Sequence, residues 1–411
     1  MGIAVQESDA EVRPVGFKHL LPILALWLGL RLYTSLGAAL FSAFRPITPV
    51  ELNTPIWPPA ADLGLWLNRL LLAPWLRWDA VWYRAIVVDG MLAGNGSTNF
   101  HPLYPILSTP LFWLGVDPLL SLMLTSTLAA LGFFWIFQRF AGLELPGEQS
   151  SMALILLATF PVALILFAPY PEGVFLFFSV LTLYEMRRQR WLAAALAAAT
   201  ASLARQQGIV LMLPMLWQAW EDSGRTVHGA LKAWRGWLAA LAAPAGLLLW
   251  AAVRIGYLHE GFLDTRTWQG FFYSVLLSPS SKAVVPDQAL MWPWDAFAAV
   301  LPRLMHAPDV EDIMSVGLGI AFVALLVLAW RYMRPGDRIY SLAITLVSFS
   351  YFTGVGRVYL GLPRHLLLAA PVFVGLAVAL QNRWQRVALI GVQLLLQVFM
   401  LFLYVTKAWI P

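Results

Sequence analysis

Long apolar segments constrain this chain more than any other feature of its sequence. A helix needs about 20 apolar residues to cross a bilayer, whereas an outer-membrane barrel shows alternating segments of roughly ten residues. Apolar runs of spanning length lie near residues 17–44, 117–140, 151–169, 171–187, 236–257, 313–331, 339–356, 364–380 and 386–408. With 60% hydrophobic and only 12% charged residues among 411, the chain holds more apolar sequence than a soluble core buries. We expect an all-α, polytopic membrane protein with a single transmembrane domain over residues 1–411.

Two shorter apolar runs lie between Trp191 and Trp220, on either side of Arg205-Gln206-Gln207-Gly208. Each run is too short to cross a membrane comfortably alone, so we expect a pair of short helices that meet near the opposite face. Counting this pair, the chain is predicted to make about 11 transmembrane crossings.

The arginines between the runs predict the orientation, because cytoplasmic loops of membrane proteins carry an excess of Lys and Arg. The arginine clusters can all be cytoplasmic if the N-terminus is cytoplasmic and each run crosses once; they lie at 187–190, 225–235, 331–338 and 383–386. This alternation of cytoplasmic and outer loops predicts a multi-pass protein of the cell membrane with two long outer loops, residues 45–116 and 258–312.

An amphipathic helix over residues 61–72 is expected to lie in the membrane interface. For the second loop, a lid and a simple connection both remain open.

Several chemistries lack their usual sequence signals here. The chain has no cysteine, which excludes disulfides and thiol chemistry. It has no HExxH motif, no paired acidic DxD element, no histidine cluster and no nucleotide-binding glycine motif. The formal charge of +5 is not gathered into a basic run, so nothing indicates a nucleic-acid partner. The sequence shows no required cofactor or metal site and leaves a divalent metal requirement open, so an enzyme here needs a donor already activated in the membrane.

Asp79 is the first candidate for chemistry. It follows Trp78 in the first outer loop, with Arg77 and Arg84 nearby in sequence. A carboxylate beside the bilayer is costly unless it is paired or hydrogen-bonded. Spacing alone leaves two roles open: a salt bridge to one of these arginines, or a functional acid or base.

The stretch after Asp79 supplies a second candidate. Asp89 and Gly90 are expected to end the helix that contains Asp79, with Gly90 as its cap and Asp89 in solvent. Pro102 is expected to start the next helix. His101, just before it, could bind substrate or transfer a proton, and a purely structural role is the alternative.

Further charged candidates lie at the outer ends of the predicted spans. Glu172 either caps the helix that it begins or reaches into the same cavity as Asp79. Arg205, at the tip of the two short helices, either clamps a lipid-linked phosphate or extends to the outer headgroups. Phosphate binding and ordinary headgroup contact are both open for the cations of the last outer turn, Arg357, Arg364 and His365.

Taken together, these motifs resemble a known family. The residues that show the resemblance are Trp78-Asp79-Ala80, Asp89-Gly90, Phe100-His101-Pro102-Leu103-Tyr104-Pro105, Tyr170-Pro171-Glu172 and Arg205-Gln206-Gln207-Gly208. In order and spacing they resemble the signature of the phosphatidylinositol-glycan class V mannosyltransferases, the GPI mannosyltransferase 2 group, and their bacterial relatives.

The resemblance implies a GT-C-type membrane glycosyltransferase. Such an enzyme takes a sugar, here mannose by resemblance, from a polyprenyl-phosphate donor on the non-cytoplasmic face and inverts the anomeric carbon. Asp79 would then be the catalytic base, and Arg205 would line the donor cavity. The acceptor, whether glycan, lipid or protein, is left open.

A transporter or lipid flippase is the alternative function. It would use intramembrane charges such as Arg31, Glu172 and Arg205 along a pathway. The concentration of motif residues on one predicted face favours the enzyme.

Overall fold

A computed structural model of the protein describes residues 17–44, 70–92, 96–256, 289–354 and 358–407. The amino-terminal half of this part is helical, with elements α1 Phe17–Phe44, α2 Asp79–Asp89, α3 Leu103–Trp113, α4 Pro118–Ala141, α5 Gly147–Ala158, α6 Glu172–Arg187, α7 Trp191–Ala204 and α8 Met212–Asp222. Short 3-10 turns connect several of them, at Ala73–Trp75, Ser97–Asn99, Ala163–Phe167 and Gln206–Leu211.

The remaining elements are α9 Val227–Ala230, α10 Trp234–Ala240, α11 Ala242–Gly256, β1 Ala289–Leu290, α12 Pro293–His306, α13 Val310–Trp330, α14 Pro335–Ser350, β2 Tyr351–Phe352, α15 Leu362–Leu366, α16 Pro371–Ala379 and α17 Arg383–Lys407. The two strands have two residues each and pair antiparallel, Ala289 with Phe352 and Leu290 with Tyr351. The protein is therefore all-α in its architecture, as its apolar runs predict.

Five helical segments among the described residues are long and apolar enough to cross a membrane by length and composition: Leu20–Phe44, Pro118–Ala141, Trp234–Gly256, Val310–Trp330 and Arg383–Thr406. Each coincides with a predicted run. The figure of about 11 crossings stays a prediction, because the other runs form shorter helices.

Three predicted runs are interrupted. The run near 151–169 ends as an α-helix at Ala158 and resumes as a 3-10 turn at Ala163, with Pro161 between. The run near 364–380 is divided before Pro371, and the run near 339–356 ends at Ser350 where β2 begins. Proline lacks an N–H and clashes with the preceding turn, which explains the first two interruptions.

The predicted second outer loop, residues 258–312, contains a helix in its described portion. Pro293–His306 is helical, and the span α13 begins at Val310. Pro293 at the first helical position and Asp309 as a side-chain N-cap set these starts. The interfacial helix predicted at 61–72 lies almost wholly outside the described residues.

Close helix packing brings the functional elements together. Helix α6 lies against both α4 and α7, and α11 lies against α7. A Cβ added at Gly246 of α11 would collide with the backbone of Ala199 in α7, so these two helices need glycine there. Helices α6, α7 and α11 are thereby packed in a row, with α7 in the middle.

A buried ionic cluster joins the opposite ends of several helices. Arg187, the last residue of α6, pairs with both Glu144 and Asp337, and Arg334 lies 3.1 Å from Glu144. Because α6 begins at Glu172, this cluster lies a helix length away from that residue.

Candidate functional site

Arg364 joins two carboxylates that are distant in sequence. Its Nη1 donates to Oδ2 of Asp79 at 2.9 Å, and its Nε lies 3.3 Å from Oε1 of Glu172. Asp79 begins α2 and Glu172 begins α6, so Arg364 on the short helix α15 connects three separate segments. Asp79 is thus paired with Arg364, and not with either of its neighbours in sequence that spacing suggested.

Arg205 extends this network from the other side of Glu172. Its Nη1 donates to Oε1 of Glu172, and its Nε donates to the side chain of Gln207 at 3.3 Å. The predicted pair of short helices is present here, because α7 ends at Ala204 and the chain turns through extended backbone at Arg205. A Cβ at Gly208 would collide with the Ser202 backbone, so glycine allows this tight turn.

Burial differs sharply across the four charged groups. The side chain of Glu172 is 0% exposed, that of Arg364 is 7% exposed and that of Arg205 is 11% exposed. The side chain of Asp79 is 26% exposed. Only Oδ2 of Asp79 is bonded within the described part of the chain, so Oδ1 remains available to a substrate proton.

The backbone before Asp79 adopts an uncommon conformation. Trp78 has φ 44° and ψ −118°, a region that residues with a side chain rarely occupy. This conformation places Asp79 in the first turn of α2, where the N-terminal end of the helix dipole favours a negative charge. As predicted, Gly90 ends α2, with φ 79°.

Aromatic rings and backbone carbonyls hold the network in place. The guanidinium carbon of Arg364 lies 5.1 Å from the ring centre of Tyr170, and the hydroxyl of Tyr170 donates to the Arg77 carbonyl at 3.2 Å. The Arg77 guanidinium is buried and donates to the carbonyls of Ala73, Leu76 and, at 3.0 Å, Val405. These contacts make Arg77 an anchor for the segment that precedes Asp79.

Tyr83 lies one helical turn after Asp79 and is buried beside the network. Burial and the negative charge of Asp79 raise the pKa of its hydroxyl. Its ring centre lies 4.9 Å from that of Tyr104 on α3, in an edge-to-face arrangement. The phenol is therefore a neutral hydrogen-bonding group at physiological pH.

His101 is buried close to Arg205. The residue is 6% exposed, and its imidazole lies near the backbone of Ser202. Burial and the positive charge of Arg205 lower the pKa of His101 to about 3. The imidazole is thus neutral at physiological pH and can donate or accept a hydrogen bond.

The other predicted residues lie in different settings. His365 follows Arg364, is 5% exposed and packs against the Tyr351 ring with centres 5.6 Å apart. Arg84 is half-buried on α2 and makes no ion pair within the described part of the chain. Arg357 lies outside the described residues. The cluster therefore joins Asp79, Glu172, Arg205 and Arg364, with His101 and His365 alongside.

Sequence reasoning missed Arg254. This residue lies in the last turn of the apolar helix α11, is 2% exposed, and its positive charge also lowers the pKa of His101. An arginine inside an apolar run is itself a signal for a functional site, and it was available in the sequence. In the described ranges, no group of three or more His, Asp or Glu side chains is arranged to hold a metal ion.

The fold and the site define the chain as an all-α, polytopic membrane protein with a buried ionic cluster at the ends of its helices. No family model and no curated protein matches it, so the family resemblance of its motifs remains a prediction. Among solved structures it is similar to the crystal structure of the Archaeoglobus fulgidus oligosaccharyltransferase tethered with an acceptor peptide containing the NVT sequon via a disulfide bond. The TM-score is 0.43 at 11% identity, and the match covers 93% of this chain and 55% of that chain. The chain thus spans about half the length of that protein.

Proposed function

We propose that the protein is a membrane glycosyltransferase. It moves a sugar, predicted to be mannose, from a polyprenyl-phosphate donor to an acceptor hydroxyl on the non-cytoplasmic face, with inversion at the anomeric carbon. The observation that supports this most is the difference between the two oxygens of the Asp79 carboxylate. Arg364 donates to Oδ2, while Oδ1 has no donor in the described part of the chain.

In this reaction Asp79 is the general base. Oδ1 accepts the proton of the acceptor hydroxyl while that oxygen forms a bond to the anomeric carbon. The bond from the anomeric carbon to the phosphate oxygen breaks, and its electron pair leaves with the polyprenyl phosphate. Asp79 then returns its proton to solvent, which its 26% exposed side chain allows.

The departing phosphate needs positive charge. Arg205 supports this role, because its Nη2 makes no hydrogen bond within the described ranges and its side chain is 11% exposed. A guanidinium matches phosphate oxygens as a fork of donors. Glu172 contacts both Arg205 and Arg364, so these guanidinium groups are oriented before the phosphate charge develops.

The test uses purified protein with labelled polyprenyl-phosphate sugars and a membrane extract as the source of acceptor. Wild-type protein is expected to transfer label, with mannose preferred over glucose. Asp79→Asn removes the base and is expected to lower the rate by at least about 100-fold. The matched control is Asp295→Asn, an exposed aspartate in the first turn of α12, which should keep the wild-type rate.

Two results would count against the proposal. An unaltered rate in Asp79→Asn would exclude Asp79 as the base. Proteoliposomes that move the lipid-linked sugar across the membrane without forming a glycosidic bond would instead identify a flippase.

A further inference from the structure

A capped turn, residues 223–235, leads from α8 into α10 and contains the short helix α9. The hydroxyl of Thr226 accepts a hydrogen bond from the amide of Gly229 at 3.0 Å and donates to the carbonyl of Ser223 at 3.1 Å. A Cβ added at Gly229 would collide with that same carbonyl, so the turn needs glycine at this position. Its backbone is therefore held in one conformation by its own side chains.

Contacts with neighbouring helices fix where the capped turn lies. The indole N–H of Trp237 in α10 donates to the carbonyl of Ala230 at 3.0 Å. Asp222, the last residue of α8, accepts a hydrogen bond from the side chain of Gln189 at 3.0 Å. Gln189 closely follows Arg187, the last residue of α6, so the capped turn lies at the end of the bundle that carries the ionic cluster of Arg187.

The capped turn exposes apolar side chains beside a membrane span. Val227 is 83% exposed, Leu231 is 80% exposed and Trp234 is 54% exposed. Trp234 is also the first residue of the candidate span Trp234–Gly256. Tryptophan is enriched where a span meets the headgroup layer. Val227 and Leu231 come just before this point in the chain, so they lie near the surface of the membrane.

Basic side chains accompany the apolar ones. Arg225, Lys232 and Arg235 are exposed, and residues 223–241 contain no acid. Glu221 lies 3.1 Å from Arg225 and offsets its charge, whereas Lys232 and Arg235 make no ion pair within the described part of the chain. Exposed apolar groups next to cations are typical of segments that lie in the headgroup layer of a membrane with anionic lipids.

We infer that the capped turn binds anionic phospholipid headgroups, at a site separate from the ionic cluster of Asp79 and independent of sugar transfer. Val227 and Leu231 enter the headgroup layer, and Lys232 and Arg235 contact the lipid phosphates. The occupant is a lipid surface because the capped turn leads directly into a span. A soluble partner would have to displace the headgroups around that span.

The first test uses the absence of cysteine from the sequence, which allows one nitroxide label to be placed at a chosen position. Leu231→Cys reports on the capped turn. Glu148→Cys, at an exposed position in the first turn of α5, is the control. The labelled full-length protein is reconstituted in nanodiscs of phosphatidylcholine and phosphatidylglycerol in equal amounts. Electron paramagnetic resonance then compares collisions of the label with oxygen, which concentrates in lipid, and with a water-soluble nickel chelate.

The label on Leu231→Cys should collide more with oxygen than with the nickel chelate, and the label on Glu148→Cys should show the reverse. A label on Leu231→Cys that collides mainly with the nickel chelate would place the capped turn in water and overturn the inference. Protection from both reagents would place protein against the turn, either a second copy or a partner, and would overturn it as well.

The second test concerns the charges of the capped turn. The double variant Lys232→Gln/Arg235→Gln removes its two cations, and Arg331→Gln/Arg383→Gln removes two exposed cations from other connections as the control. Native mass spectrometry of the purified full-length proteins measures bound phosphatidylglycerol against phosphatidylcholine. The first variant should bind phosphatidylglycerol at least about fivefold more weakly than wild type, and the control should stay close to wild type. Equal binding by the two double variants would overturn the inference.

Discussion

Nη1 of Arg364 lies 2.9 Å from Oδ2 of Asp79, a contact between residues 285 positions apart in the chain. The same guanidinium reaches Glu172 through Nε. One side chain thus sets both the orientation of the proposed base and the geometry of a buried acid. The site is consequently sensitive to the shape of this cation as well as to its charge.

Arg364→Lys keeps the positive charge but removes the planar guanidinium group, which contacts carboxylates through two nitrogens. A single ammonium cannot reproduce contacts from Nη1 and Nε to two carboxylates, so Asp79 loses its fixed orientation. We expect kcat for sugar transfer to fall on the order of 100-fold, since small misplacements of catalytic groups have effects of this size. Steady-state kinetics check this, with the exposed Arg235→Lys as control. A wild-type kcat in Arg364→Lys would show that the two guanidinium contacts are dispensable.

Glu172→Gln should destabilise the protein strongly. The substitution leaves Arg205 and Arg364 in a buried setting without their shared counterion. Breaking a buried pair in this way costs about 3–5 kcal/mol. Thermal unfolding in detergent should therefore show a clearly lower Tm. Glu148→Gln, an exposed acid in the first turn of α5, should stay within about 0.5 kcal/mol of wild type. A Tm shift no larger than that control would contradict the assigned role of Glu172.

The lowered pKa of His101 predicts that the stability of the protein depends on pH. Burial and Arg205 lower its pKa to about 3, whereas an unfolded histidine titrates near 6.5. Below pH 6.5 the unfolded chain binds a proton that the native protein excludes, so the free energy of unfolding falls as the pH drops toward 3. The slope from this group is at most about 1.4 kcal/mol per pH unit.

The measurement is Tm across this pH interval for wild type and His101→Phe. The variant should lose part of the decline, because its ring does not titrate. His306→Phe, at the exposed end of α12, should keep the wild-type slope. Parallel slopes for wild type and His101→Phe would refute the prediction.

Arg187→Met should destabilise the protein without disabling the site. Arg187 bridges Glu144 and Asp337 at the far end of α6. Its loss removes this partner from Asp337 and leaves Glu144 with Arg334, whose side chain is 56% exposed. We expect a loss of about 3–5 kcal/mol but an unchanged donor KM for the protein that remains folded. Arg190→Met is the control, because Arg190 is 58% exposed and lies 3.8 Å from Glu185. A changed donor KM would indicate that the two ionic clusters are coupled.

Local signals predicted the parts of the site that depend on neighbouring residues. Gly90 ends α2, Pro102 precedes α3, and the polar turn at Arg205 separates two short helices. These features follow from backbone chemistry within a few residues. Hydropathy likewise identified the five longest apolar helices.

Pairing across the chain could not be predicted in the same way. Periodicity places Asp79 on a helix, but nothing in its neighbourhood indicates that Arg364 will reach it. The sequence suggested a salt bridge to Arg77 or Arg84, but the Arg77 guanidinium binds backbone carbonyls. Such choices depend on how α6 and α15 pack, which a single sequence does not reveal.

Helix α17 has a consequence for how the protein matures. The Tyr404 hydroxyl donates to the carbonyl of Trp75, and Arg77 donates to that of Val405, so α17 secures the segment leading to Asp79. A ribosome synthesises α17 after every other described part of the site. Until Tyr404 and Val405 have been translated, a nascent chain therefore cannot hold the segment that positions Asp79, and a chain terminated before Tyr404 should be inserted but inactive.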